Sequence, residues 1–226
     1  MGHPLDKPIW SALTTRQAEF AIGALPALRY RPEVEPFIAA ADDSRESLAA
    51  MRGLMHPGEE LILLQARPSP LPDGVELIGE RAGVQMLADA APPMAVPPEV
   101  EQLGAADGAE MQALAELTEP GPFRSETHRL GTFWGIRHDG RLVAMAGERM
   151  KLPGLTEVSG VCSHPDARGR GYGGLLSRLV MARIVQRGEK PFLHAYADNA
   201  AAIGLYERLG FKIRREMRVQ VIRLAG

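Results

Sequence analysis

The spacing of apolar residues divides the chain into predicted helices and strands. Residues 174–187 place five leucine, valine and isoleucine side chains on one helical face, which predicts an amphipathic helix. Residues 211–221 alternate mostly between apolar and charged side chains, which is the period of a half-buried strand. Asp139 and Gly140 separate two apolar runs and predict an antiparallel hairpin, because glycine accepts a positive φ.

Along the whole sequence, predicted helices and predicted strands are interspersed. Helices are predicted over residues 10–25, 44–55, 111–117, 174–187 and 199–209. Strands are predicted over residues 37–40, 59–65, 75–78, 83–87, 132–137, 141–147, 156–162, 191–196 and from 211 onward. The second half therefore has the order helix, three strands, helix, strand, helix, strand.

A proline-rich segment separates the two halves. Residues 91–98 contain four prolines, which disfavour both helices and strand ladders. We expect a linker over residues 91–100, between an N-terminal α/β module over residues 1–90 and a second domain over residues 101–226.

Composition excludes several classes of protein. The 226 residues are 45% hydrophobic and 24% charged, as in ordinary folded domains. The single cysteine, Cys162, excludes an internal disulfide and a cysteine-rich zinc site, so we expect no metal and a reducing, cytoplasmic location. The N-terminal segment lacks the features of a signal peptide, and no uncharged apolar run reaches the ~18 residues of a membrane span.

Charge is distributed unevenly between the halves. Residues 1–100 hold 8 lysines and arginines against 14 carboxylates, whereas residues 101–226 hold 18 against 14. The second half therefore suits an anionic ligand. Aromatic residues are only 5% of the chain and the cations are scattered, so we do not expect nucleic-acid binding.

A glycine-rich loop runs directly into the helix at 174–187 and has the chemistry of an anion site. It contains Arg168, Gly169, Arg170, Gly171, Tyr172, Gly173 and Gly174. The first amides of a helix lack partners, and glycines let a phosphate approach the backbone. The glycines also satisfy the dinucleotide pattern G-x-G-x-x-G, but too many residues separate them from the preceding strand. A Walker loop is excluded because no Gly-Lys-Ser/Thr follows, and a turn without ligand is the plain alternative.

Two motifs make residues 107–221 resemble the catalytic core of the GNAT superfamily of CoA-dependent N-acetyltransferases. The family's pyrophosphate loop, Gln/Arg-x-x-Gly-x-Gly/Ala, is matched by residues 168–173 after His164-Pro165. A second family motif is matched by residues 199–211, which include Asn199, Tyr206 and Gly210. The resemblance is greatest to the branch that includes glycine N-acyltransferases, in which an abbreviated module precedes the core.

This resemblance implies a fold and a set of binding residues. The fold is α/β of the mixed α+β type, with a mostly antiparallel central sheet flanked by helices. Acetyl-CoA is the implied co-substrate, held by the loop at 168–174 and by Asn199. The strand carrying Val161, Cys162 and Ser163 is expected to splay from the strand at 192–196 and to pair through its backbone with pantetheine amides. Apart from the resemblance, Gly160 inside this strand suggests either a bulge or a close approach of another backbone.

The resemblance also suggests catalytic residues. Tyr206 matches the family's general acid, and Glu157 matches a position where some members carry the general base. Glu148, His194 and water are alternative acceptors of the amine's proton. A Cys162–His164 pair would permit an acyl-enzyme route, but a lone cysteine in a strand is usually a core residue.

We therefore expect an N-acetyltransferase that acts by direct attack of a primary amine on acetyl-CoA. The acceptor is an unidentified small molecule or peptide, and we expect residues 1–90 to shape its side of the site. The alternative is a CoA-binding sensor or scaffold that has lost turnover. The oligomeric state is left open, with a homodimer as one option.

Overall fold

The computed structural model describes residues 2–225 and contains five α-helices and eleven strands within that range. The helices are α1 Pro8–Leu13, α2 Arg45–Arg52, α3 Gly108–Thr118, α4 Tyr172–Gln186 and α5 Ala200–Arg208. The strands are β1 Ala21–Ala24, β2 Ala27–Tyr30, β3 Ile38–Ala40, β4 Leu61–Gln65, β5 Val75–Leu87, β6 Glu101–Leu103, β7 Phe133–His138, β8 Arg141–Leu152, β9 Leu155–Ser163, β10 Lys190–Tyr196 and β11 Lys212–Leu224.

Eight of these strands form one sheet in the order β4-β11-β5-β10-β9-β8-β7-β6. The pair β9–β10 is parallel, and the other six pairings are antiparallel. Strands β1, β2 and β3 form a small separate sheet. The predicted fold class, a mostly antiparallel mixed sheet flanked by helices, is confirmed.

Helix α4 covers one face of the large sheet. Its buried residues Leu176, Leu179, Val180 and Ile184 pack into a cluster with residues of β7, β8, β9 and β10. This is the face that the apolar spacing predicts. Burying each such side chain contributes roughly 1.5–3 kcal/mol. No helix within residues 2–225 has the length and apolarity to cross a membrane.

The predicted hairpin is also confirmed. Strands β7 and β8 pair antiparallel, and the turn between them places Asp139 at φ 49° and Gly140 at φ 80°. Two consecutive positive φ angles are what a two-residue hairpin turn of this type requires. The hairpin brings β8 into the middle of the sheet beside β9.

The predicted helix over residues 10–25 is correct only up to Leu13 and wrong beyond it. Helix α1 ends at Leu13, and the chain then enters β1. Thr14 and Thr15 turn their hydroxyls back onto the carbonyls of Trp10 and Ser11. Side-chain bonds of this kind compete with helix continuation, and β-branched residues are poor helix formers.

The two weak strands predicted at 75–78 and 83–87 form one long strand, β5. It runs between β10 and β11 and pairs with both. Residues of the first part of the chain (1–90) are thus hydrogen-bonded to residues of the second part (101–226) at the centre of the sheet. Strand β4, also from the first part, pairs with β11 and forms the edge of the sheet. Residues 91–97 form neither helix nor strand. The domain division at 91–100 stays a prediction, but strand pairing crosses it.

The first part also contacts the sheet through side chains around Arg149 of β8. Gln17 donates to the Arg149 carbonyl at 2.7 Å and accepts from the Tyr30 hydroxyl at 2.7 Å and from the Lys151 amide at 3.2 Å. The Phe37 ring centroid lies 5.1 Å from the guanidinium carbon of Arg149. The backbone and the side chain of Arg149 are therefore both held by residues that precede the proline-rich segment.

A carboxyl group is buried without a partner at this contact. Glu35 is 0% exposed, and neither of its carboxylate oxygens has a hydrogen-bond partner. Burial raises the pKa of Glu35 to about 8, although the charge of Arg149 opposes the shift. The ordinary pKa of a glutamate is 4.5, so between this value and about 8 the folded chain holds a proton that the unfolded chain has lost.

We expect residues 99–226 alone not to fold cooperatively. Removal of the first part deprives β11 of both neighbouring strands and β10 of one. The measurement is thermal unfolding of the fragment followed by circular dichroism, with the full chain as the control. A single sharp transition in the fragment would contradict this expectation and would show that the second part is an independent domain.

We expect Glu35→Gln to stabilise the protein more as pH rises. The folded pKa is raised, so stability falls with pH between about 4.5 and 8, and the variant abolishes this loss. The gain in melting temperature should grow by on the order of 5 °C between pH 6 and pH 8. Glu33→Gln, at an exposed position in the same loop, is the matched control and should show no such growth. Equal pH dependence in both variants would be the contradicting result.

Candidate functional site

A gap opens between β9 and β10 in the middle of the sheet. The two strands pair from Leu155–Lys190 to Glu157–Phe192 and then no longer pair with each other, while β9 continues to pair with β8 and β10 with β5. Gly160 has φ 62° and lies in a bulge, where Gly160 and Val161 together face one residue of β8. The predicted bulge is confirmed. The β9 backbone beyond Glu157 therefore faces the gap and is free to pair with a strand-like ligand.

The glycine-rich loop lies at the same end of β9. Gly169 and Gly171 have φ 77° and 78°, and a Cβ on either would meet nothing within 4 Å. Helix α4 begins at the next residue, Tyr172, so the first amides of the helix, which have no partner within it, lie at the end of this loop. Arg168 and Arg170 are exposed beside it. The loop thus combines backbone donors, the positive end of a 15-residue helix and two cations, which suits a pyrophosphate.

The next glycines bring the start of α4 close to its neighbours. A Cβ on Gly173 would lie 3.6 Å from Val161, and one on Gly174 would lie 3.3 Å from Leu205 of α5. The glycine-rich loop, the β9 bulge and α5 therefore meet at one place. Val161 and Leu205 are 44 positions apart in the sequence (205 − 161), and the fold brings both next to the start of α4.

Two of the predicted binding residues use their side chains within the protein. The Tyr172 hydroxyl lies 2.9 Å from Nε2 of His138. The Asn199 side chain caps α5, and its Oδ1 accepts from the Ala202 amide at 3.0 Å. The contribution of Tyr172 to an anion site is thus its backbone amide, whereas Asn199 also lines the neighbouring cavity.

Tyr206 lines a cavity of about 170 Å³ together with Val161, His194 and Asn199. Its ring packs edge-on against Phe211 at 6.0 Å. Burial raises the pKa of Tyr206 to about 12, with a further contribution from Cys162. The hydroxyl therefore keeps its proton at neutral pH and is available as a donor.

The wall of this cavity comes from both parts of the chain. Phe37, Ile62 and Leu64 contribute from the first part, and residues 119–122 contribute the loop after α3. Arg149 also lines the cavity. A ligand beside Tyr206 would therefore touch residues on both sides of the proline-rich segment.

Glu157 is sealed in a buried ion pair. Its oxygens accept from Nε and Nη2 of Arg149, each at 2.9 Å, from the Met150 amide at 3.2 Å and from Nδ1 of His194 at 2.7 Å. The Glu157 side chain is 1% exposed. Burial alone would raise the pKa of Glu157, but Arg149 and His194 hold it well below its usual range. These contacts argue against the predicted role of Glu157 as a base in contact with the amine.

The polar contacts continue from His194 across two more strands. Gln85 of β5 lies 2.9 Å from Nε2 of His194 and donates to the Leu5 carbonyl at 2.9 Å. Its Oε1 accepts from Arg214 of β11 at 2.8 Å. Arg214 is the extra residue of a bulge in β11 and also binds Asp6 at 2.7 Å. We call this series from Asp6 to Arg149 the polar chain.

The polar chain fixes the tautomer of His194. Arginine is only a donor, so the oxygen of the Gln85 amide must face Arg214 and its nitrogen must face His194. Gln85 therefore donates to Nε2 of His194. The imidazole proton must then lie on Nδ1, where it is donated to Glu157. Both ring nitrogens are occupied, which leaves His194 no free lone pair for the acceptor amine.

The other candidate base, Glu148, is held in ion pairs, and the candidate nucleophile, Cys162, is uncharged. Glu148 binds Arg187 at 2.7 Å and Lys151 at 3.0 Å and is not part of the cavity wall. Cys162 is buried, and burial raises the pKa of its thiol to about 11. An uncharged thiol is a poor nucleophile, so the structure gives no support to an acyl-enzyme route. Within residues 2–225 there is no group of three or more side chains that could hold a metal ion.

Sequence reasoning missed Arg149, Gln85 and Arg214. Their partners lie on other strands, and no short motif marks them. One signal was present for Arg149. Glu148 and Arg149 are two charged residues inside a strand whose other residues are mostly apolar and buried. A charged residue in such a position needs a buried partner.

Comparisons with known proteins agree with this geometry. A family model described as "FR47-like protein" matches residues 133–219. Mycothiol acetyltransferase from Corynebacterium aurimucosum is 45% identical over 65 residues, which are 28% of this chain and 21% of that protein. The corresponding protein from Mycobacteroides abscessus is 36% identical over 85 residues, 37% of this chain and 25% of that one. The match thus spans about a quarter or less of these curated relatives.

Solved structures extend the similarity to the whole chain. A GCN5-related N-acetyltransferase from Kribbella flavida has a TM-score of 0.66 over 100% of this chain and 98% of its own, at 16% identity, which shows a shared fold. A protein from Novosphingobium aromaticivorans, assigned to the GNAT family of acetyltransferases, has a TM-score of 0.94 and is 43% identical over 100% of both chains. On the strength of this full-length relationship, the chain belongs to the GNAT family of acetyltransferases.

Proposed function

We propose that this chain transfers the acetyl group of acetyl-CoA directly to a primary amine. One observation carries the proposal: the gap between β9 and β10 opens beside the start of α4, and Tyr206 lines the cavity next to it. The loop at 168–174 would hold the pyrophosphate, and the backbone of residues 161–163 would pair with the pantetheine amides. The acetyl group would then enter the cavity at Tyr206.

Tyr206 assists departure of the sulfur. When the amine attacks the thioester, the carbon–sulfur bond breaks and negative charge develops on the sulfur. A tyrosine with a pKa of about 12 is a weak acid. Burial, however, also disfavours the charged thiolate that would form inside the cavity, which makes the sulfur a better proton acceptor. Donation from the hydroxyl to the sulfur therefore stays only moderately uphill.

The amine's proton leaves through water. Of the protein groups that the sequence offered as bases, Glu157 is sealed by Arg149, His194 is bonded at both nitrogens, and Glu148 lies outside the cavity. The amine would therefore attack as the neutral species that exchange with solvent provides. The rate should follow the neutral fraction of the acceptor amine.

The acceptor side is inferred from the cavity wall, and the setting of the reaction is inferred from the cysteine content. Residues 1–90 contribute Phe37, Ile62 and Leu64 to the cavity, which supports their predicted role in shaping the acceptor site. We retain the glycine N-acyltransferase-like branch as a prediction within the family. We also infer a reducing, cytoplasmic setting from the single cysteine.

We expect Tyr206→Phe to lower kcat at least tenfold while the affinity for CoA is nearly kept. Loss of the hydroxyl removes an interaction made mainly in the transition state. Turnover is measured as free thiol released from acetyl-CoA with a library of primary amines, and CoA affinity is measured by calorimetry. Unchanged turnover would remove Tyr206 from the chemistry.

A second variant separates binding from chemistry in the same experiment. Gly171→Asp adds bulk and negative charge where the pyrophosphate should lie, so it should abolish CoA binding. Retained affinity would contradict the loop assignment. CoA binding by the unaltered protein without thiol release from any amine would instead favour a sensor or scaffold.

A further inference from the structure

Helix α5 carries Tyr206 but packs only in part against the rest of the protein. None of its nine residues is fully buried. Ile203 and Tyr206 are partly buried and pack against the cluster around α4, and the Tyr206 ring also meets Phe211 just after the helix. Ala200 and Ala201, the first two residues of α5, are exposed. Packing therefore holds the later part of the helix, and its start depends on the turn that precedes it.

The turn before α5 consists of residues 196–199. The Asn199 amide donates to the Tyr196 carbonyl at 3.0 Å, and the amide of the first helical residue donates to the Asp198 carbonyl at 3.1 Å. Tyr196 and Asn199 both line the cavity beside Tyr206. A displacement of this turn would therefore move two parts of the cavity wall together with the start of the helix.

Arg81 of β5 contacts two side chains of this turn. Its guanidinium carbon lies 3.5 Å from the centroid of the Tyr196 ring. Its Nη2 donates to the two carboxylate oxygens of Asp198 at 3.0 and 3.1 Å. The carbonyl of the next residue, Ala82, accepts from the Ala197 amide at 3.0 Å. Strand β5 thus holds the first three residues of the turn.

No other side chain replaces this contact. Within residues 2–225, Arg81 is the one side chain from outside the turn and α5 that forms a hydrogen bond with residues 196–199. The Asn199 side chain binds the helix itself, through the Ala202 amide. The link between the turn and the sheet is therefore made by Arg81 together with the strand backbone.

The contact is of a kind that affects position more than stability. The side chains of Arg81 and Asp198 are 52% and 72% exposed. Exposed ion pairs contribute little to the stability of a fold, so loss of this one should leave the protein folded. A catalytic group, in contrast, loses much of its effect when it is displaced by as little as ~1 Å.

We propose that Arg81 is a positioning residue for the general acid. By holding the turn at residues 196–199, Arg81 fixes the start of α5 and thereby the place of the Tyr206 hydroxyl in the cavity. The inference rests on the proposed function of Tyr206. It gives the first part of the chain a role in the chemical step, in addition to its contribution to the cavity wall.

The kinetic test compares Arg81→Met with Arg223→Met. Arg223 pairs with Glu76 across β11 and β5, is 47% exposed and does not line the cavity, so it is the matched control. In Arg81→Met we expect kcat for thiol release to fall about fivefold or more, with KM for acetyl-CoA changed less than about twofold. Arg223→Met should keep kcat. The melting temperatures of the two variants should agree within about 2 °C.

Hydrogen exchange of the ligand-free protein, followed by mass spectrometry, reports on α5 without reference to activity. Amides of residues 203–209 should exchange about fivefold faster in Arg81→Met and at the unaltered rate in Arg223→Met. Arg81→Lys keeps a cation beside Asp198 and Tyr196, so it should restore most of kcat and of the protection. If Arg81→Met does not fold, Asp198→Asn, which removes the ion pair from its other side, takes its place.

Two results would overturn the proposal: unchanged exchange at α5 in Arg81→Met, or a fall in kcat no larger than that of Arg223→Met. If the unaltered protein releases thiol with no amine while exchange at α5 responds as expected, the proposed function is overturned and the hold of Arg81 on α5 remains supported.

Discussion

Arg149 and Glu157 form a buried ion pair in the eight-stranded sheet, where residues of the first part of the chain pack against β8. Removing two charges from water costs several kcal/mol per ion, and good geometry with further hydrogen bonds is needed to offset it. Both conditions are met, because Glu157 accepts four hydrogen bonds and Arg149 donates two of them. Loss of one partner alone would leave an uncompensated buried charge, at a cost of about 3–5 kcal/mol.

The ion pair lies where the two parts of the chain are in contact. Phe37 packs against the Arg149 side chain, and Gln17 donates to the Arg149 carbonyl. The polar chain continues from Glu157 through His194 and Gln85 to Arg214 and Asp6, and so reaches the N-terminal segment again. Three residues of these contacts, Phe37, Arg149 and His194, line the cavity beside Tyr206. Its wall therefore includes residues far in sequence from the glycine-rich loop.

The local features of the fold could be predicted from the sequence because they depend on neighbouring residues. The face of α4, the hairpin at Asp139 and Gly140, and the bulge at Gly160 follow from spacing and backbone preference. The insertion of β5 between β10 and β11 could not be predicted in this way, because strand pairing at long range leaves no periodic signal. The same limit applies to Glu157, whose strand position was correctly expected but whose partner, Arg149, lies on β8. Without that partner in view, a sealed carboxylate could not be told from an available base.

The hydrogen bonds of the polar chain all run in one direction, from Arg214 to Glu157, and the tautomer of His194 reports that direction. The measurement is a side-chain ¹⁵N spectrum of histidine-labelled protein at neutral pH, with His194 assigned by comparison with His194→Gln. We expect a proton on Nδ1 and an unprotonated Nε2 that accepts from Gln85. A proton on Nε2 would contradict it, because Gln85 would then have to turn its oxygen toward His194 and away from Arg214.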